Sequence, residues 1–220
     1  MQLLVVYYSR TGMTRKIARV VASKLRCDIE EVFDLKYFGK DAFQSELTEI
    51  GEIKKDPALY DVVFIGTPAL KNAISCAIRT YIHDNKKRLK KVAFFCAGGS
   101  ANIVFREMEF LCGKTPITTL SLRKEDVEKS RHMAKIEEFA TDVPAFMVSD
   151  LLERTDKTAS KAPLKDLLEL RQEWECIYEL VKKVSDSIVR KQQLIDDMLI
   201  AEDQLNMAID KLEQKRNHTC

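Results

Sequence analysis

Residues 3–21, LLVVYYSRTGMTRKIARVV, pass from six apolar positions through a short hydroxyl-rich turn into a segment whose apolar residues recur every three to four places. The first six have strand length and no polar interruption, which is how a strand covered by helices on both faces reads. Nearly the same character returns at 61–66, DVVFIG, and at 92–97, VAFFCA. Residues 27–33, CDIEEVF, and 115–122, TPITTLSL, are mixed, as edge strands tolerate. Helix-length amphipathic segments near 13–25, 41–51, 73–85, 101–112 and 125–140 alternate with these strands. The predicted fold class is α/β, a doubly wound five-stranded parallel sheet with strands at 3–8, 27–33, 61–66, 92–97 and 115–122. With the mixed strands at the edges, its order is 2-1-3-4-5.

This pattern stops at Val143, which sets a first domain at 1–143. Pro144, the polar stretch 154–161 and Pro163 read as a linker spanning 144–163. The rest of the chain holds neither Gly nor Pro. Its apolar residues keep a 3-4 spacing: Leu167, Leu170, Trp174, Ile177, Val181, Val184, Ile188, Ile195, Met198, Leu205, Ile209 and Leu212, with Lys191 and Glu202 out of register. Residues 164–216 are therefore expected to form one long amphipathic helix, coiled-coil-like, or a helical hairpin turning near 190–193 or 196–197. Tyr178, Leu180, Leu194, Leu199, Ala201 and Ala208 flank the seam and widen it beyond what a two-stranded zipper needs. A homo-oligomer through 167–212 is the expectation, with the fold-back hairpin as the other possibility.

Composition bounds the function. The 220 residues are 45% hydrophobic and 32% charged, as in soluble globular proteins. Up to Val143 there are 24 Lys and Arg against 19 Asp and Glu, and 12 against 15 afterwards. So mild a basic excess lacks the footprint of a nucleic-acid binder, and the run 86–91, KKRLKK, reads as a solvated helix end. Cys27, Cys76, Cys96, Cys112, Cys176 and Cys220 show no CxxC spacing, and His83, His132 and His218 stand far apart, so no metal site is expected. That cysteine usage, and an apolar start too short for a leader or a membrane span, point to the cytoplasm.

The turn at 9–14 is the segment most able to hold a ligand. A helix start presents unpaired N–H groups and the positive end of the dipole, so an anion placed there meets backbone and hydroxyl donors together. Ser9, Thr11 and Thr14 supply hydroxyls, Gly12 permits close backbone approach, Met13 opens the helix, and Arg10 and Arg15 can add charge. The bland reading of the same residues is that Ser9 or Thr11 caps the helix.

From Val5 through Ser9, Gly12 and Thr14 to Ala18 and Val21 the segment resembles the phosphate-loop signature of the flavodoxin family. Residues 60–82 and 91–122 also resemble that family's third strand, fourth strand, flavin loop and fifth strand, so the resemblance covers nearly all of 1–143. It implies FMN as cofactor, with its phosphate in the 9–14 loop. It further implies Thr67, Pro68, Ala69, Leu70, Lys71 and Asn72 along one side of the flavin ring and Ala97, Gly98, Gly99 and Ser100 along the other. Many members of the family place Trp or Tyr against the ring in these loops. This sequence has Leu70 and Lys71 in the first and Ala101 and Asn102 in the second.

No Ser-His-Asp set, Walker loop or carboxylate pair is visible, and Cys76 and Cys96 read as packing residues. A flavin needs no protein acid or base, so a chain without catalytic residues is still able to pass electrons. Two readings follow from the sequence. One is a flavoprotein acting as an electron carrier or a small reductase, its partner a redox protein or NAD(P)H. The other is a flavodoxin-fold scaffold that has lost flavin and acts through its C-terminal helix.

Overall fold

The computed structural model of the chain describes residues 1–36, 46–69, 73–98, 101–123, 125–126, 132–158, 162–183 and 191–217. Five strands, β1 (Leu3–Tyr7), β2 (Asp28–Glu31), β3 (Val62–Pro68), β4 (Lys91–Ala97) and β5 (Thr119–Leu122), form one parallel sheet of order β2-β1-β3-β4-β5. This is the order read from strand character, and it is the flavodoxin-like arrangement. β1 is buried along its whole length, whereas β2 and β5, the edges, alternate between covered and open positions. The described helices are α1 (Met13–Leu25), α2 (Cys76–Asn85), α3 (Ala101–Cys112), α4 (His132–Thr158), α5 (Leu164–Lys183) and α6 (Lys191–Asn217). The chain divides into two compact units, Gln2–Ala140 and Thr141–Cys220, Met1 grouping with the second.

In the first unit, strand alternation sorts the core onto two faces. Leu4, Val6, Val63, Ile65, Val92 and Phe94 pack with Ile78 and Tyr81 of α2 and with Val104 and Met108 of α3. One place out of step, Phe64 and Phe95 turn to the opposite face, where Phe139 meets both rings edge-on at 5.6 and 6.2 Å between centroids. On that face Lys24 of α1 reaches Glu137 of α4 at 2.6 Å. The buried residues of α1, Thr14, Ile17, Ala18, Val21, Ala22 and Leu25, fall at the helical spacing the sequence showed.

The helix expected at 41–51 is not what the described part of that segment forms. Residues 41–45 lie outside the described residues, and 46–51 are extended. Leu35 donates its N–H to the Glu49 carbonyl and Gly51 donates to that of Phe33, around an antiparallel Asp34–Ile50 bridge. Thr48 is then locked to α2, its N–H donating to Thr80 Oγ1 at 2.9 Å while that hydroxyl donates to the Thr48 carbonyl. Strand pairing and this reciprocal bond outweigh the local helical pattern.

The linker expected at 144–163 is helical as far as Thr158. Pro144 lacks an N–H for the Ala140 carbonyl, and the boundary between the two units falls about a turn before it, yet the helix continues. The polar run that read as linker is held in place. Arg154 grips Glu173 of α5 through two nitrogens at 2.6 and 2.8 Å, and Thr155, fully covered, donates its hydroxyl to the Leu151 carbonyl.

Within the second unit, the described residues form two helices, α5 and α6, as in the hairpin alternative, although 191–193 and 196–197, where a turn was expected, lie inside α6. Trp174 Nε1 donates to the Met198 carbonyl at 2.6 Å, and Arg171 bonds Asn206 and approaches Glu202 at 3.8 Å. Numbers rising along α5 thus meet numbers falling along α6, so the pair is antiparallel. Leu167, Trp174, Ile177, Val181, Met198 and Leu205 of the sequence-read seam are all buried within the chain. Val184 and Ile188 lie outside the described residues.

Candidate functional site

In a parallel sheet all strands end on one edge. β1 is followed by a crossover to β2 and β3 by a crossover to β4, so the chain leaves in opposite directions from the neighbouring ends Tyr7 and Pro68. Such a divergence opens a crevice at the C-terminal edge of the sheet. Tyr8 N–H donates to the Gly66 carbonyl at 3.1 Å and extends the β1–β3 ladder to the mouth of that crevice.

The 9–14 turn departs from this point. Gly12 is the N-cap of α1 with φ 85°, in the left-handed region, and no side chain caps the helix from that position. Among the described residues a β-carbon at Gly12 would meet nothing within 4 Å, so what favours glycine there is its conformation. The capping question left by the sequence has a divided answer. Ser9 Oγ accepts the Arg15 N–H at 3.2 Å, which satisfies one first-turn donor and leaves the serine proton free to be donated. The amides of Gly12, Met13 and Thr14 precede the first possible intrahelical acceptors. Arg10 and Thr11 are exposed and Met13 is half-buried. Thr14 is covered, on the face α1 turns to the sheet, so Ser9 and Thr11 are the hydroxyls that open outward.

Arg15 is not directed at this turn as the sequence reading allowed. Its guanidinium makes two bonds to Glu31 at the end of β2, at 2.6 and 3.1 Å, and Tyr7 donates its hydroxyl to the same carboxylate at 3.0 Å. Glu31 holds the Arg15 guanidinium above its ordinary pKa, while burial, helped by Glu31, lifts the Tyr7 phenol. The sequence signal for this trio is register alone, since Tyr7 and Glu31 are ladder partners at the sheet edge. Tyr8, which follows β1, packs half-buried on the α2 and α3 side. Burial and then the Asp34 charge raise its phenol.

The loops after β3 and β4 meet at their bases. Ala69 N–H donates to the Ala97 carbonyl at 2.9 Å, and a β-carbon at Gly98 (φ 86°) would lie 3.4 Å from the Ala69 carbonyl oxygen. Gly98 N–H in turn donates to the Leu122 carbonyl at 2.9 Å, tying the second loop to β5. Pro68, Ala69 and Gly98 are partly open, whereas Ala97 is buried. Thr67, which the resemblance sets beside the ring, is fully covered, and its hydroxyl bonds Ser75. Leu70, Lys71, Asn72, Gly99 and Ser100 lie outside the described residues. Cys96 sits beneath this junction with its thiol pushed up to about 11 by burial, which suits packing and not nucleophilic work. Among the described residues no group of three His, Cys, Asp or Glu side chains is arranged to hold a metal ion, and no helix is long and apolar enough to cross a membrane.

No family model matches the sequence, and no curated protein matches it. Solved structures do. A flavoprotein in complex with FMN from Lactobacillus acidophilus NCFM is 21% identical, with 58% of this chain and 97% of that one covered at a TM-score of 0.46. A flavodoxin, WrbA-like protein from Agrobacterium tumefaciens is 16% identical over 63% of this chain and 96% of that one, TM-score 0.40. Oxidised flavodoxin 1 from Bacillus cereus is 19% identical over 62% and 97%, TM-score 0.38.

Proposed function

We propose that this chain is a flavoprotein that binds FMN at the C-terminal edge of β1 and β3 and passes electrons, as a carrier or as a small NAD(P)H-linked reductase. The observation that carries this reading is the left-handed Gly12 at the start of α1, at the point where the crossovers diverge. A phosphate there is within reach of the first-turn amides, the Ser9 proton and the Thr11 hydroxyl. Arg15 is already paired with Glu31, so the first-turn amides, the hydroxyls, the helix dipole and Arg10 within the turn would supply the attraction.

Bound flavin supplies the redox chemistry. The residues of this chain bind and orient it: the 9–14 turn holds the phosphate, and the partly open Pro68, Ala69 and Gly98 offer an apolar, close-packed base for the ring. The scaffold reading has one observation in its favour. Among the described residues of the loops after β3 and β4, at 69, 73 to 75 and 98, no aromatic side chain is present.

The test is a titration with FMN and, separately, with riboflavin, which lacks the phosphate. FMN binding at least tenfold tighter than riboflavin binding, with the preference abolished in Gly12→Val, is the expected result. Equal affinity for the two flavins, or a Gly12→Val variant that keeps the preference, overturns the phosphate assignment.

A further inference from the structure

The loop that follows β3 is closed at its base by two buried hydroxyls. Thr67, at the penultimate position of β3, and Ser75, the N-cap of α2, are both fully covered. Ser75 donates its N–H to Thr67 Oγ1 at 3.2 Å, and the Thr67 hydroxyl lies 3.0 Å from the Pro68 carbonyl and 3.3 Å from Ser75 Oγ as alternative acceptors for its proton. Ser75 Oγ accepts the Ile78 N–H at 3.3 Å, so the same hydroxyl pair fixes the first turn of α2. On the far side Glu107 of α3 accepts the Ile74 N–H at 3.4 Å and pairs with Arg79 of α2. The other base of the loop is the bond from Ala69 N–H to the Ala97 carbonyl.

An apolar residue at either hydroxyl position leaves buried N–H groups without partners, and such groups are costly to leave unmade. Buried threonine and serine at the end of one element and the start of the next, facing each other across seven intervening residues, therefore have a conformational purpose. We propose that Thr67 is a positioning residue. Through Ser75, with Glu107 as a second anchor, it latches the two ends of the loop that borders the flavin site, and it does so without touching the flavin. This rests on the FMN reading for its functional consequence, while the latch itself is a property of the protein without flavin.

Two measurements on the full chain separate the two levels. In flavin-free protein, amide hydrogen exchange at Ser75 and Ile78 is expected to quicken by about tenfold or more in Thr67→Val, which keeps the shape but loses the hydroxyl, and to return to the parent rate in Thr67→Ser. Unchanged exchange in Thr67→Val overturns the latch whatever the chain binds. In FMN-loaded protein, Thr67→Val is expected to shift the visible circular dichroism of the bound flavin and weaken its binding about tenfold, with Thr67→Ser restoring both. A parent that takes up no FMN overturns the functional reading alone. A flavin signal and affinity identical in Thr67→Val and the parent overturn the positioning role. Should Thr67→Val fail to fold, Ser75→Ala and Glu107→Gln carry the same two measurements with the same criteria.

Discussion

The Phe95 ring lies directly over Gly66: a β-carbon on Gly66 would fall 2.0 Å from Cζ of that ring. The two residues are ladder partners on β4 and β3, and the missing side chain at 66 leaves room for the ring, which meets Phe139. Gly66→Ala forces the ring or the strand to move and is expected to cost about 1–3 kcal/mol in urea unfolding. Phe95→Leu relieves the clash, so the double variant is expected to be more stable than the sum of the single losses. Strict additivity would mean that the ring is not what excludes a side chain at 66.

Alkaline stability follows from Tyr60, which is buried, and Cys27, which is half-buried. Burial, reinforced by the hydrogen bond to Asp28, pushes the Tyr60 phenol from 10.0 up to about 12. Burial, with the Asp28 charge, pushes the Cys27 thiol from 9.0 up to about 12. Both stay protonated in the folded chain over a range where the unfolded chain releases its proton. The stability they contribute is therefore full below about pH 9 and declines as pH rises towards 12. Tyr60→Phe lacks the tyrosine part, so above pH 10 its urea midpoint is expected to fall less steeply than the parent's. Equal slopes contradict the assignment.

The helical unit makes a prediction about mass. The described seam residues Leu167, Trp174, Ile177, Val181, Met198 and Leu205 are buried in the antiparallel pair of α5 and α6, so that part of the seam needs no second copy. Light scattering is expected to give 25.3 kDa across micromolar concentrations. Twice that value would show that the chain associates despite this pairing, and substitution of the exposed Leu168, Ile200 and Met207 would then test whether they lie between copies. Ile177→Ala or Leu205→Ala, both fully buried, is expected to cost about 2–5 kcal/mol, while Leu168→Ala stays within about 0.5 kcal/mol.

The sheet order was legible because burial on two faces leaves an unbroken apolar run, and LLVVYY and VAFFCA have no other reason to be so uniform. Gly12 was read as a point of close backbone approach, and its left-handed conformation at the helix start is a second reason for glycine there. Three features were not. The strap at 46–51 carries a local helical pattern, and distant partners, the 33–35 backbone together with Thr80 and Asp34, hold it out of a helix. Arg154 reads as linker charge until Glu173, nineteen places on, is seen to hold it. The burial of Thr67 and its bond to Ser75 were not legible because a resemblance transfers a residue's position along the chain but not its exposure; the Ser75 N-cap ahead of the apolar spacing of α2 was the available clue.

The most direct test of the account is the visible absorption spectrum of the protein after incubation with FMN and removal of free flavin by gel filtration. One flavin per chain in the parent, and none in a Gly12→Val variant whose far-ultraviolet circular dichroism matches the parent's, is the predicted result. A folded parent that emerges colourless contradicts the central claim and leaves the scaffold reading in its place.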